Sequence, residues 1–399
     1  MPLPLPLREF LGLMALLMSM TAMSIDIMLP SLPDIGATLG VTNPNNLQLV
    51  VSVYMFGMAI GQLAWGPLAD RLGRRPALLM GLTLFCIATV VALASQSFPQ
   101  LLAARFTQGV GGSVGRIVVT AIIRDLFSGR EMARVMSMVM MVFILVPILA
   151  PSVGQTVILF GSWRWVFSVL LIAGLIAMTW LAIRLPETRA ELAPGAKRYT
   201  IAQSLQLVLS TRMTTGYGFA SGFMFGCLVC YIASAQQVFG RAYDLGRLFP
   251  FAFGSVACFL ALASFTNSRL VQRLGMRRLS HTALVGFLVL SSSFAVLAAL
   301  MTLPFWLALA GMCACFYCYG LILSNFNAIA MQPMGATAGT AASLIGSYTT
   351  GVGAILGTMI ARQYNGSILP VFAGFAALAF CALLTIIVLE GRNGLFRGE

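Results

Sequence analysis

The sequence is short of charge and nearly devoid of histidine. Only 9% of its 399 residues are charged, against about a quarter in soluble domains. There is one histidine, His281. The acids number eleven, and ten of them (Glu9, Asp34, Asp70, Asp125, Glu131, Glu187, Glu191, Asp244, Glu390 and Glu399) fall in loops or near the ends of apolar runs. Paired carboxylates, a His/Cys metal set or a Ser/His dyad at one membrane depth cannot be assembled from this inventory, so the chain does not read as an enzyme and no cofactor or metal is expected. The eight cysteines lie nearly all within apolar runs, including the Cys227/Cys230 CxxC and the Cys313, Cys315, Cys318 cluster. His281 sits at another depth, so these thiols read as packing groups rather than metal ligands. A non-transporting membrane sensor is likewise not expected.

Apolar sequence fills the space that charge leaves. The chain is 59% hydrophobic with mean hydropathy +0.93, more than an aqueous fold can hide. A bilayer core needs about 20 apolar residues per helix. Twelve such runs can be marked, near residues 9–29, 46–66, 77–96, 100–123, 134–158, 163–184, 213–238, 247–266, 281–302, 304–328, 338–361 and 368–389. The first has no small-residue cleavage site and is followed by further spans, so it reads as a first helix and not as a signal peptide. The expectation is an all-α membrane protein of twelve transmembrane helices in two pseudo-symmetric six-helix bundles, residues 1–185 and 213–399. They are joined by a cytoplasmic linker, residues 186–212, that contains PETRAELAPGAKR and a short surface helix near 200–209.

The net charge of +13 would suggest nucleic acid in a soluble protein. Here the arginines sit in short loops between spans, where retention of positive charge in the cytoplasm accounts for them. With both termini inside, eighteen Lys and Arg lie on the inner side, and four (Arg164, Arg241, Arg247 and Arg362) lie outside. Arg105 and Arg116 belong to neither side and lie within the fourth span. The reading is a multi-pass protein of a bacterial inner membrane with cytoplasmic termini, no nucleic-acid partner and a monomeric state.

One loop carries more than charge. Residues 66–76 read GPLADRLGRRP, and Leu72-Gly73-Arg74-Arg75 recurs 202 residues later as Leu274-Gly275-Met276-Arg277. Gln272 stands in the second copy where Asp70 stands in the first, so the acid–arginine contact should be stronger in the N-terminal half. Two related halves with parallel repeats suit a secondary transporter, with its substrate site between them near mid-membrane.

The loop resembles the 2–3 loop signature of the major facilitator superfamily, with Gly66, Asp70, Arg71, Gly73, Arg74 and Arg75 in register. The resemblance implies that these residues gate the cytoplasmic side. LLAARFTQGVGGS in the fourth span matches that family's signature there through Arg105, Gln108, Gly109, Gly111 and Gly112. Pro147, Pro151 and Gly154 in the fifth span resemble the antiporter signature, and the two prolines should kink that helix. Because Ala150 and Gln155 replace the glycines that flank the signature, packing of this helix on its partner is expected to be looser. SIDIMLPSLPDI at the end of the first span is similar to the Bcr/CflA branch of drug:proton antiporters, which includes florfenicol and chloramphenicol exporters.

Asp26 is the one acid within a span. A carboxylate at membrane depth costs roughly 2.5–3.5 kcal/mol on insertion scales, and such a residue is a functional candidate by default. Two readings stand beside it: a structural ion pair with Arg105, and a helix-end acid that reaches water close to Pro30. Arg105 lies at similar depth. Arg116, three helical turns on and about 16 Å away, projects from nearly the same face. It either lines a cavity that favours anionic groups, or reaches toward the cytoplasm and pairs with an acid such as Asp125. Met23, Tyr54, Tyr231, Gln236, Gln237, Asn325 and Asn327 add candidate substrate contacts, each equally readable as an interhelical hydrogen bond. The 23 methionines and 27 phenylalanines suit an adaptable apolar pocket and ordinary membrane core alike.

The expected function is proton-coupled multidrug efflux of small amphipathic compounds by alternating access, with Asp26 and Arg105 coupling the proton. The alternatives are export of a specific anionic metabolite or siderophore with Arg105 and Arg116 as anion contacts, and a facilitator-type importer.

Overall fold

The computed structural model describes residues 5–127, 129–188 and 201–391. Among them there is no strand. The helices are α1 (Leu7–Asp26), α2 (Leu32–Thr38), α3 (Leu49–Leu72), α4 (Arg74–Leu93), α5 (Phe98–Leu126), α6 (Gly129–Phe160) and α7 (Arg164–Arg184), followed by α8 (Ile201–Ser210), α9 (Arg212–Ala235), α10 (Phe249–Leu274), α11 (Met276–Leu300), α12 (Phe305–Met331), α13 (Ala338–Ala361) and α14 (Leu369–Glu390). Among the described residues, twelve helical segments are long and apolar enough to cross a membrane, and each coincides with one of the apolar runs. The short helix expected in the linker is α8; residues 189–200, with Glu191, Lys197 and Arg198, lie outside the described residues, as do residues 392–399.

The chain divides into two compact units. Unit 1 is Met1–Thr42 with Val53–Ser204, and unit 2 is Asn43–Ser52 with Leu205–Glu399. The start of α3 therefore clusters with unit 2, although the rest of that helix belongs to unit 1.

Within unit 1, α4 packs on α5 and α7, and α1 packs on α5, α6 and α7. Within unit 2, α11 packs on α12 and α14, and α9 packs on α12, α13 and α14. These are the same pairings in the same order, which makes the sequence repeat a structural one. The two copies of the loop also share their backbone. Gly73 (φ 105°) ends α3 and starts α4, and Gly275 (φ 78°) ends α10 and starts α11. Positive φ at both junctions is the reason glycine stands there. It turns the chain back into the next span without a loop.

Glycines of α5 let three helices approach its backbone. A Cβ at Gly109 would lie 2.0 Å from Tyr54 O of α3, one at Gly111 2.6 Å from Phe85 N of α4, and one at Gly115 2.2 Å from Leu17 O of α1. Small residues at such crossings replace the hydrophobic drive that lipid does not supply. Trp65 Nε1 of α3 closes the same contact by donating to Val110 O at 2.7 Å.

Candidate functional site

Asp26 is the last residue of α1. Pro30 and Pro33 follow, so the helix gives way to the tight turn Leu29–Ser31 before α2 resumes. The end of a helix within a span frees the backbone around the acid. Asp26 is only 3% exposed, and its Oδ1 is buried without a hydrogen-bond partner. A buried carboxyl oxygen left in that state is costly unless the group is neutral or receives a ligand.

Arg105 reaches this place from α5. It is fully buried, its Nη2 donates to Ser24 O at 3.0 Å, and its guanidinium lies 4.3 Å above the Tyr54 ring of α3. Nη1 donates to Gln108 Oε1 one turn on. Gln108 Nε2 in turn donates to Thr89 Oγ1 at 2.7 Å, and Thr89 is anchored to Phe85 O at 2.6 Å. A chain of fixed donors thus runs from α4 through α5 to the end of α1 and holds the guanidinium two residues from Asp26. Ser24 O, Gln108 and the Tyr54 ring thus surround the guanidinium. Arg116 is half-buried further along α5. Asp125, considered above as its partner, is taken by Arg74 at 2.8 Å. Met23 is half-buried one turn before Asp26.

The fifth span corrects one expectation. Its prolines, Pro147 and Pro151, lie inside the continuous helix α6. Gly154 does not pack loosely: a Cβ there would lie 1.9 Å from Ile27 O. The surviving glycine alone suffices for backbone contact with α1, at the residue after Asp26.

The residues expected to gate the inner side are fastened within unit 1. Arg74 Nη1 contacts Asp70 Oδ1 at 2.6 Å, and its Nε contacts Asp125 Oδ2 at 2.8 Å. The Arg74 side chain is 7% exposed and that of Asp125 12%, whereas Asp70 is 58% exposed. The amides of Arg74 and Arg75, at the first turn of α4, donate to the Glu187 carboxylate at 2.8 and 3.1 Å. Unpaired amides and the helix dipole make this end an anion site, and the chain fills it with its own acid. A Cβ at Gly73 would lie 2.4 Å from Glu187 Oε2, so the glycine makes room for the acid as well as turning the chain. Gly66 is half-buried beside Pro67 within α3. Arg71 is exposed near the end of α3. Sequence reasoning missed Glu187 and the role of Asp125. The signal for Glu187 was its place in PETR directly after the sixth span.

The candidates of unit 2 divide differently. Tyr231 donates to Phe253 O at 3.3 Å and packs on Phe253 and Phe316. Asn325 Nδ2 donates to Asn267 Oδ1 at 2.6 Å and to Leu321 O at 2.7 Å. Asn327 is half-buried two residues on, which places it on another side of α12. Gln236 begins a π-helical stretch, Gln236–Ala242, that continues α9. Gln237 Nε2 donates to Asn45 Oδ1 at 2.9 Å and Pro44 O at 3.1 Å. Gln48 Nε2 donates to Ala361 O at 2.8 Å and also contacts Gln237, and Thr358 Oγ1 donates to Ser52 Oγ at 2.6 Å. Gln237 therefore belongs to a neutral clasp on the start of α3, an assignment that no motif announced.

Three comparisons bear on this geometry. The family model described as Major Facilitator Superfamily matches residues 14–358. A bicyclomycin resistance protein homolog of Haemophilus influenzae is 32% identical over 391 residues, covering 98% of each chain. A chloramphenicol resistance protein of Pseudomonas aeruginosa is 27% identical over 375 residues, 93% of this chain and 86% of that one. Among solved structures, a D-xylose–proton symporter aligns with a TM-score of 0.75 over 96% of this chain and 97% of its own at 14% identity, a likeness of fold alone.

Proposed function

Because the chain belongs to the major facilitator superfamily, we propose that this multi-pass transporter is a proton-coupled exporter of small amphipathic drugs working by alternating access. The observation that carries the reading is Asp26: an acid buried at the broken end of α1, with a carboxyl oxygen that has no partner and with the Arg105 guanidinium held on the carbonyl of Ser24, two residues before it in sequence. Such an oxygen has two natural occupants, a proton and a hydrogen-bond donor of the substrate. If they exclude one another, the two fluxes are coupled. Asp26 takes a proton from the outer side as the drug leaves, and loses it to the cytoplasm as the next drug binds. The names of the relatives, one for bicyclomycin resistance and one for chloramphenicol resistance, support drugs as the cargo. The asymmetry of arginine and lysine supports cytoplasmic termini in a bacterial inner membrane. Arg74, Asp70, Arg71, Arg75, Gly66 and Gly73 act as the inner gate in this reading, with Asp125 and Glu187 added to it.

The test is growth of a drug-sensitive host on chloramphenicol, bicyclomycin, a lipophilic cationic dye and an anionic antibiotic, with wild type, Asp26→Asn and Arg116→Ala. Resistance that Asp26→Asn abolishes supports the reading. Resistance unchanged in Asp26→Asn overturns it, and selective loss of anionic substrates in Arg116→Ala favours export of an anionic metabolite.

A further inference from the structure

The one histidine of the chain lies in unit 2, far along the sequence from Asp26, and the export reading does not use it. His281 is fully buried in the second turn of α11. Its Nε2 lies 3.1 Å from the Tyr217 hydroxyl of α9, and that hydroxyl donates to Glu390 Oε1 at 2.8 Å. Glu390 is the last residue of α14, and its side chain is 8% exposed, so the acid marks the end of the series nearest solvent. Arg277 of α11 contacts the same carboxylate oxygen at 3.4 Å and also touches Met213 of α9. The Phe326 ring of α12 stands edge-on to both Tyr217 and His281. Among the described contacts, the titratable and charged groups near the imidazole include Tyr217 from α9, Glu390 from α14 and Arg277 from its own helix.

The geometry points to a proton-binding site, separate from Asp26, in which one proton is shared between Glu390 and His281 across the Tyr217 hydroxyl. A hydroxyl has one proton and can accept another, which makes tyrosine a bridge between a carboxyl and an imidazole. Transfer starts from a protonated Glu390 and a neutral ring with its proton on Nδ1. Glu390 gives its proton to the Tyr217 oxygen as Tyr217 gives its own to Nε2. One O–H bond breaks at the carboxyl and one N–H bond forms at the ring, and nothing is oxidised or reduced. The product is a carboxylate beside Arg277 and an imidazolium. In that state Tyr217 donates to Glu390 and accepts from Nε2–H, and the same 2.8 and 3.1 Å spacings serve both states. The two states differ only in where one proton sits along this bridge.

The corresponding acid of the first unit is held differently. Glu187 also follows the last span of its unit, and its carboxylate accepts from backbone amides of α4. Fastening a helix end requires a carboxylate and donors. It does not require the sole histidine of the chain behind a tyrosine.

A single histidine allows a direct test. The full-length protein, purified through a tag that lacks histidine and labelled with ¹⁵N-histidine, yields one imidazole whose protonation and tautomer are read by NMR across about pH 5 to 8.5, a window around the ordinary value near 6.5. The site predicts a titration within that window. It also predicts that Tyr217→Phe, which keeps the ring packing, and Glu390→Gln each lower the midpoint by at least about half a unit, because each removes a group that favours the imidazolium. Asp26→Asn should leave the midpoint in place, so failure of the export reading would not be mistaken for failure of this one. A ring that keeps one protonation state throughout in the wild type, or a midpoint that either unit 2 variant fails to lower, overturns the proposal.

Discussion

Gly154→Ala should damage this protein out of proportion to one methyl group. The added carbon would lie 1.9 Å from Ile27 O and 2.9 Å from Ile27 C, both backbone atoms that no rotamer change can move. Ordinary contact distances are near 3.4 Å, so α6 and α1 must part by about 1.5 Å. Forced separation in a packed interior costs about 1–3 kcal/mol. At roughly 2 °C per kcal/mol for a chain of this size, the melting temperature should fall by about 2–6 °C. The displacement also falls on the residue after Asp26, so drug resistance should drop more than the abundance of folded protein. Thermal unfolding in detergent, followed by tryptophan fluorescence, measures the first effect, and growth on drug at matched expression measures the second. Ser152→Ala is the control, since Ser152 is exposed on the same helix. A Gly154→Ala protein with wild-type melting temperature and wild-type resistance would refute the claim that α6 bears on α1 at this glycine.

Other perturbations separate the roles of neighbouring groups. Asp125→Asn should destabilise by about 1–3 kcal/mol, because it weakens a charge-assisted contact of the buried Arg74, while Asp70→Asn should cost under about 1 kcal/mol at an exposed site; chemical denaturation of the two variants gives the order. Thr89→Val should leave the Gln108 amide without its partner and let Arg105 drift, lowering resistance while Thr89→Ser retains it; equal resistance in both would remove Thr89 from the chain of donors. Glu187→Gln should lower stability by about 0.3–1 kcal/mol through loss of charge at the first turn of α4, an effect that high salt diminishes and a melting series at two salt concentrations can read.

The parts legible in the sequence are those governed by composition and by local backbone demands. Twelve spans follow from the length of apolar runs, and the related halves follow from Gly73 and Gly275, which recur because both junctions need positive φ. Asp26 stood out because an acid inside a run has few structural uses. The unread parts depend on pairings between distant residues. Glu187 caps α4 from 113 positions away, and its carboxylate looks like any linker acid until the fold brings it to the Arg74 amide. Nothing in Asn45 or Gln48 indicates that the start of α3 clusters with unit 2, since uncharged hydrogen bonds leave no pattern in sequence. Tyr231 and Asn325 were plausible ligand contacts on residue type alone; the fold provides each with protein partners. The replacement of the glycines flanking Gly154 suggested looseness, because a motif counts residues and does not say which one makes the contact.

The central claim is that the Asp26 carboxyl exchanges a proton against the drug. It is tested most directly in proteoliposomes with purified wild type and Asp26→Asn, using a drug from the growth panel that the wild type exports and a pH gradient as the only driving force. The account predicts that the wild type concentrates the drug against its gradient and that the variant only lets it equilibrate. Accumulation by Asp26→Asn to the wild-type level under the same pH gradient would contradict it.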